Sequence, residues 1–257
     1  MSDPRIDLVI EGRIARLTLR RPEKLNAIDS EMIHALLQAC RTIEGSDARV
    51  AILSGEGARS FCAGGDIEAW SSLDADVFSR RWLRDGHDAF DALARLTVPL
   101  IAVLNGHALG GGLELAACAD LRIAEAHVKI GQPEAGLGVI PGWSGTQRAS
   151  RRFGTQLVRR MALFGEVYSA KQAFALGLVD QVVATGEGGA AAEDAAARVL
   201  KRSPRATELT KMLINAAEGE ESERVVEALA GAVAAKSDDL AEGLAAYRQR
   251  RPARFGK

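Results

Sequence analysis

The chain has no run of roughly 18 or more apolar residues; Leu100–Leu104, its most apolar stretch, soon meets Asn105 and Gly106. A membrane-spanning helix needs about 20 such residues, so none is expected. The first residues, MSDPRIDLVIEGR, lack the basic start and apolar stretch of a secretory signal. Cysteine is scarce. Cys40, Cys62 and Cys118 are odd in number and share no metal-ligand spacing, which suits a reducing cytoplasm better than a disulfide framework. Neither charge dominates: 33 Lys and Arg against 34 Asp and Glu leave a formal net charge of -1. Nothing global therefore points to nucleic acid or an anionic membrane as partner. His34, His87, His107 and His127 have no serine or cysteine partner suggested by spacing, and no H-E-x-x-H motif occurs. The expectation is a soluble cytoplasmic protein without a metal.

What is present has an ordinary globular composition, 47% hydrophobic and 26% charged. Ile6 to Ile10 and Ile14 to Leu19 flank a Glu11-Gly12 turn and predict a hairpin. A helix is expected from Asp29 or Ser30, either of which can cap it, with Ile33, Leu36, Leu37, Cys40 and Ile43 on its apolar face. Val50 to Leu53 and Leu100 to Leu104 read as buried strands, and Asp76 to Leu96 as a helix between them that ends before Pro99. Leu113 to Cys118 reads as a further helix, followed by short strands around Leu121–Ile123 and Val128–Ile130. Alternating strands and helices predict an α/β fold. From about Ala190 strand signals stop and alanine-rich helical stretches follow. That change divides the chain into a core of residues 1–189 and a helical region of residues 190–257 suited to oligomerisation.

The triplet Gly110-Gly111-Gly112 precedes an apolar helix, where exposed N–H groups and the helix dipole favour developing negative charge. A tight turn explains three glycines equally well. The triplet lacks the Gly-Lys-Ser/Thr ending of a phosphate loop and the G-x-G-x-x-G spacing of a dinucleotide fold. Ser60 to Asp66, SFCAGGD, is a second small-residue loop after a buried strand. If the two preceding strands are neighbours, N–H groups from both loops can face one point. Glu114 lies among apolar residues in LELAAC, where a carboxylate is poorly solvated. Glu134, in Gly-Gln-Pro-Glu-Ala-Gly, reads as a solvated loop acid when taken alone. Two carboxyls in one cleft can hold different protonation states and so work as acid and base. Asp66 suits a cap or brace for its loop, and Trp143 either pocket lining or plain packing.

Several ordered segments are more specific than any of these alone. They are Arg21-Pro22 with Leu25-Asn26-Ala27, Phe61 to Asp66, Asn105-Gly106 with Gly110 to Gly112, Gln132-Pro133-Glu134, and Pro141 with Gly145 to Arg148. In this order and spacing they resemble the enoyl-CoA hydratase/isomerase (crotonase) superfamily along nearly the whole chain. The resemblance implies a crotonase-like spiral of ββα turns with a C-terminal helical trimerisation region, assembled as a homotrimer or dimer of trimers. It implies an oxyanion hole from Gly65 and Gly111, and coenzyme A contacts from Leu25, Ala27, Ala63, Asp66, Ile67 and Glu68 as well as those glycines. The basic end from Arg248 to Lys257 is similar to the part of the family that reaches the nucleotide phosphate.

Both glutamates of the hydratases in this family are present, as Glu114 and Glu134. The resemblance therefore implies an enoyl-CoA hydratase, with Glu114 as base, Glu134 as acid, and Gly142 N–H helping to hold the water. No cofactor is implied, because coenzyme A is part of the substrate. A dehydratase or isomerase of a specialised acyl-CoA, or a non-catalytic scaffold on the same fold, are the alternatives. Two departures matter. Glu68 stands where hydratases often carry lysine, and Gly142-Trp143-Ser144-Gly145 puts a bulky ring where a small residue is common, which would shorten or reshape an acyl pocket.

Overall fold

The computed structural model describes residues 5–220 and 222–255. The expected hairpin pairs β1 (Ile6–Glu11) antiparallel with β2 (Ile14–Leu19) around Gly12, whose φ of 59° suits glycine. The remaining strands are β3 (Val50–Gly55), β4 (Ser60–Cys62), β5 (Leu100–Leu104), β6 (His107–Leu109), β7 (Leu121–Glu125), β8 (Lys129–Gly131), β9 (Val167–Ser169) and β10 (Gln181–Val183). One sheet has the order β1-β2-β3-β5-β7-β10, parallel from β2 onward. The other has the order β4-β6-β8-β9. Chain order explains both. β3 runs into β4, β5 into β6 and β7 into β8, so each pair gives one strand to each sheet before the chain turns back.

The helices are α1 (Ser30–Glu44), α2 (Ile67–Ser71), α3 (Ala75–Val77), α4 (Arg84–Ala94), α5 (Gly111–Cys118), α6 (Gln147–Phe153), α7 (Thr155–Phe164), α8 (Ala170–Ala175), α9 (Gly188–Leu200), α10 (Pro204–Ala217), α11 (Ser222–Ala234) and α12 (Asp238–Gln249). Asp29 caps α1 by accepting from Met32 N–H at 2.9 Å. Ile33, Leu36, Cys40 and Ile43 on its inner face are buried, while Leu37 is only partly so. The single helix expected from Asp76 to Leu96 is interrupted: Phe78–Leu83 is π-helical between α3 and α4. Such a wide turn shifts the helical phase, and π segments recur at functional sites.

Sheet residues alternate between two apolar layers. Leu17, Leu53, Leu100 and Ala102 face the main core, while Val50, Ile52, Ile101, Val103 and Ile123 meet α9 through Ala192, Ala195 and Ala196. The compact units are residues 1–211 and 212–257. The compositional change near Ala190 thus does not coincide with this division, because the small alanine face of α9 packs on the sheet.

In the second unit, Ser237 caps α12 from Leu240 N–H at 3.2 Å and Arg251 pairs with Glu242 at 2.6 Å. The Arg251 hydrogen bond holds the Glu242 carboxyl down to about 2. One of the basic residues near the end is therefore committed within its own unit, and Lys257 lies outside the described residues. Among the described residues, no helix is long and apolar enough to cross a membrane.

Candidate active site

Parallel pairing of β3 with β5 and of β4 with β6 sets the two small-residue loops side by side. In the first loop Gly65 forms an isolated parallel bridge with Ile28. Ile28 N–H donates to Gly64 O at 2.8 Å and Asp66 N–H donates to Ile28 O at 2.7 Å. Both bonds use the neighbours of Gly65, so its own N–H points the other way. In the second loop Gly110 takes φ 54° and ψ -123°, a region open to glycine alone, and caps α5. The expected helix start at Leu113 moves to Gly111, whose N–H becomes one of the unsatisfied donors of the first turn. Among the described residues, neither Gly65 nor Gly111 donates its N–H to a protein acceptor.

The glycines are small because the loops touch. A Cβ on Gly64 would lie 3.2 Å from Gly111 N, and one on Gly112 would overlap Cys62 O.

Glu114 is 2% exposed. Its Oε1 accepts two backbone hydrogen bonds, from Trp143 N–H and Gly145 N–H, both at 2.7 Å. Ser144 between them has φ 74°, and this left-handed residue turns both N–H groups toward one oxygen. Gln132 Nε2 donates to Gly145 O at 3.0 Å and braces the same turn. Burial, and then the charge of Glu134, push Glu114 up to about 7 against those two N–H groups and the charge of Arg148. Arg148, itself 1% exposed, is paired with Asp91 at 2.6 Å.

Glu134 opens a 3-10 turn, Glu134–Leu137. Both of its carboxylate oxygens are buried without a hydrogen-bond partner, and burial raises its pKa. It presses on the glycine triplet: a Cβ on Gly110 would lie 3.1 Å from Glu134 Oε1.

One cleft joins these groups. Ala63, Gly65, Ile67, Gly111, Glu114, Glu134 and Gly142 all line it, with Trp70, Phe78, Trp82, Leu83 and Trp143 among its apolar walls. Two N–H donors and two carboxyls with raised pKa in one apolar cleft can stabilise an enolate and move protons beside it. A family model described as enoyl-CoA hydratase/isomerase matches residues 9–257. The chain belongs to the enoyl-CoA hydratase/isomerase family.

Within this family the chain is 34% identical over 258 residues to the crotonyl-CoA hydratase of Syntrophomonas wolfei, covering 99% of each. It is 37% identical over 206 residues to the short-chain-enoyl-CoA hydratase of Clostridium acetobutylicum, covering 80% of this chain and 78% of that one. The crystal structure of the enoyl-CoA hydratase from Bacillus anthracis superposes with a TM-score of 0.79 at 27% identity, covering 98% of each chain.

In this family member four of the residues expected to touch coenzyme A stand beside the cleft rather than in its lining: Leu25, Ala27, Asp66 and Glu68. They are attached to the first loop. Ala63 N–H donates to Leu25 O at 3.1 Å, and Arg21 donates to Ala27 O at 2.9 Å. Leu25 and Asn26 hold left-handed φ values of 56° and 55°. Buried Asn26 sustains them by accepting from Arg21 N–H at 2.9 Å and donating to Ser60 O at 2.8 Å.

Asp66 is the brace the sequence suggested. It pairs with Arg21 at 2.6 Å and caps α2 by accepting from Glu68 N–H at 3.0 Å. Burial works to raise its carboxyl, but the Arg21 hydrogen bond and charge outweigh it and hold the group below the usual range. Glu68 meets Lys24 Nζ at 2.7 Å, so the acid in place of lysine is paired.

Spacing gave His87 no serine, yet the fold sets its Nδ1 3.3 Å from Ser144 Oγ. That contact links α4 to the turn holding Glu114. Gln132 and Arg148 also lay within the quoted motifs, but only their burial reveals what they brace.

Proposed function

We propose that the protein is an enoyl-CoA hydratase, which adds water reversibly and syn across the Cα=Cβ bond of a trans-2-enoyl-CoA to give a 3-hydroxyacyl-CoA. The observation that carries this reading is buried Glu114 and half-buried Glu134, whose carboxylate oxygens are buried, both on one cleft with raised pKa beside the unpartnered N–H groups of Gly65 and Gly111.

The thioester oxygen accepts from Gly65 and Gly111 N–H, which polarises Cα=Cβ. Water sits between the carboxyls, with Gly142 N–H as a further donor. Glu114 takes a proton from the water as its oxygen bonds to Cβ, and the π electrons move onto the thioester as an enolate. Glu134 gives a proton to Cα and the enolate collapses. Glu114 ends protonated and Glu134 ionised, and a proton passing back between them resets the pair. Each oxyanion donor is worth about 2.7–4 kcal/mol of transition-state stabilisation, and each acid or base about 10²–10⁴-fold.

Coenzyme A arrives with the substrate, and no resident cofactor is needed. Ala63 and Ile67 in the lining, with Leu25, Ala27, Asp66 and Glu68 beside it, mark the side of the cleft along which it would lie. Exposed Val226, Val233, Leu244 and Tyr247 in the second unit offer apolar surface for the proposed assembly as a homotrimer or dimer of trimers, and the proposed compartment is the cytoplasm.

The test follows the loss of enoyl absorbance over a panel of trans-2-enoyl-CoA esters, with 3-hydroxyacyl-CoA identified by mass. Hydration of at least one ester is expected; no turnover of any ester overturns the reading.

A further inference from the structure

We infer that Trp143, seated in a notch left by Gly86, sets the depth of the acyl cleft and restricts the enzyme to short acyl groups. The inference rests on the hydratase reading for the way the substrate lies. The chain has three tryptophans, and all three converge on one oxyanion-hole residue. A Cβ on Gly65 would lie 3.2 Å from Trp82, 3.4 Å from Trp143 and 3.6 Å from Trp70. The benzene edge of Trp143 also lies against Gly111, 3.1 Å from the Cβ position there. Its pyrrole edge occupies the place of a side chain on α4, since any Cβ on Gly86 would overlap Nε1.

The indole cannot retreat. Phe90, fully buried in the main core, stands behind it with ring centroids 5.1 Å apart. Trp82 flanks it at 5.3 Å, and the Trp82 carbonyl accepts its Nε1–H at 3.4 Å. At the other end its own backbone N–H is tied to Glu114. Ring and catalytic carboxylate are thus held by one residue.

With its carbonyl on Gly65 and Gly111 and its Cβ beside the glutamates, an acyl group meets the indole on the interior side. Phe78, Leu83 and Ile140 also line the cleft, and Ile140, 75% exposed, marks a side open to water. A four-carbon group ends before this matters. A ten-carbon chain must turn out into water and loses the apolar contact that each buried methylene brings. Because Gly86 has no side chain, removing the indole opens a slot that reaches α4.

The test compares kcat/KM for crotonyl-, trans-2-hexenoyl- and trans-2-decenoyl-CoA in wild type, Trp143→Phe and Trp143→Ala. Wild type is expected to favour crotonyl over decenoyl by about tenfold or more, with the ratio shrinking in Trp143→Phe and reversing in Trp143→Ala. A length profile in Trp143→Ala parallel to that of wild type would overturn the inference, as would a wild type indifferent to length. If Trp143→Ala does not fold, the Trp143→Phe comparison decides on the same criterion. Calorimetric binding of butyryl-CoA and decanoyl-CoA separates this claim from the hydratase reading. Absence of turnover with every ester sinks that reading, while unchanged relative affinities in the Trp143 variants sink only this one.

Discussion

Trp143 N–H donates to Glu114 Oε1 at 2.7 Å, so a residue that walls the cleft also orients the carboxylate proposed as the base. Gly145 N–H reaches the same oxygen at 2.7 Å. Among the described residues Glu114 Oε2 has no hydrogen-bond partner, and the side chain faces the cleft. The carboxylate is fixed at one oxygen and available at the other.

That arrangement fixes the form of the pH profile. Glu114 and Glu134 titrate as a coupled pair, and the proposed reaction needs one proton between them. Burial and the Glu134 charge place the Glu114 step at about 7, and burial raises Glu134 above its ordinary value. The expected kcat/KM profile is a bell: activity falls above about 7 as the pair loses its last proton, and falls on the acid side when both carboxyls are protonated. Stopped-flow hydration across buffers checks it. A flat profile through neutrality would remove the shared proton from the account.

The same shift has a cost in stability. The folded-state pKa of Glu114 is raised above its unfolded value, so the fold binds its proton more tightly than the unfolded chain does. The stability tied to this group is present at low pH and declines as pH rises from 4.5 through about 7. Above that range a buried charge remains, at a cost on the order of 3 kcal/mol. Glu114→Gln keeps an oxygen for the two N–H groups and removes the charge. Thermal melts should show the variant more stable than wild type at alkaline pH, with the gap closing toward pH of about 5. An equal gap at all pH values would contradict the assignment.

How much of this could be read beforehand depended on the range of the interaction. The hairpin, α1 with its Asp29 cap, and the buried strands β3 and β5 follow from local pattern, and β3 and β5 are indeed neighbours. The ordered motifs carried the family and the two glutamates. Other features arise from contacts distant in sequence. The three-residue strands β4, β6 and β9 exist only by pairing across the fold and carry too few residues for a periodic signal. The π-helical turn at Phe78–Leu83 leaves a sequence pattern close to that of an ordinary helix, yet it sets Phe78, Trp82 and Leu83 on the cleft. The His87–Ser144 contact spans 57 residues. Glu134 looked solvated because its neighbours in sequence are small, and its burial comes from the loops folded around it.

Gly110 tests the close fit between the triplet and Glu134. Alanine there must adopt φ 54° and brings its Cβ to 3.1 Å from Glu134 Oε1. Gly110→Ala should cost about 1–3 kcal/mol in denaturant unfolding and lower kcat as the acid is displaced. Unchanged stability together with unchanged kcat would show that this glycine is free to vary.

The most direct measurement is hydration of crotonyl-CoA by Glu114→Gln and Glu134→Gln, with acyl-CoA affinity measured on the same preparations. The account predicts that each variant loses about 10²–10⁴-fold in kcat and binds acyl-CoA as wild type does. Near-wild-type turnover in both variants would contradict it.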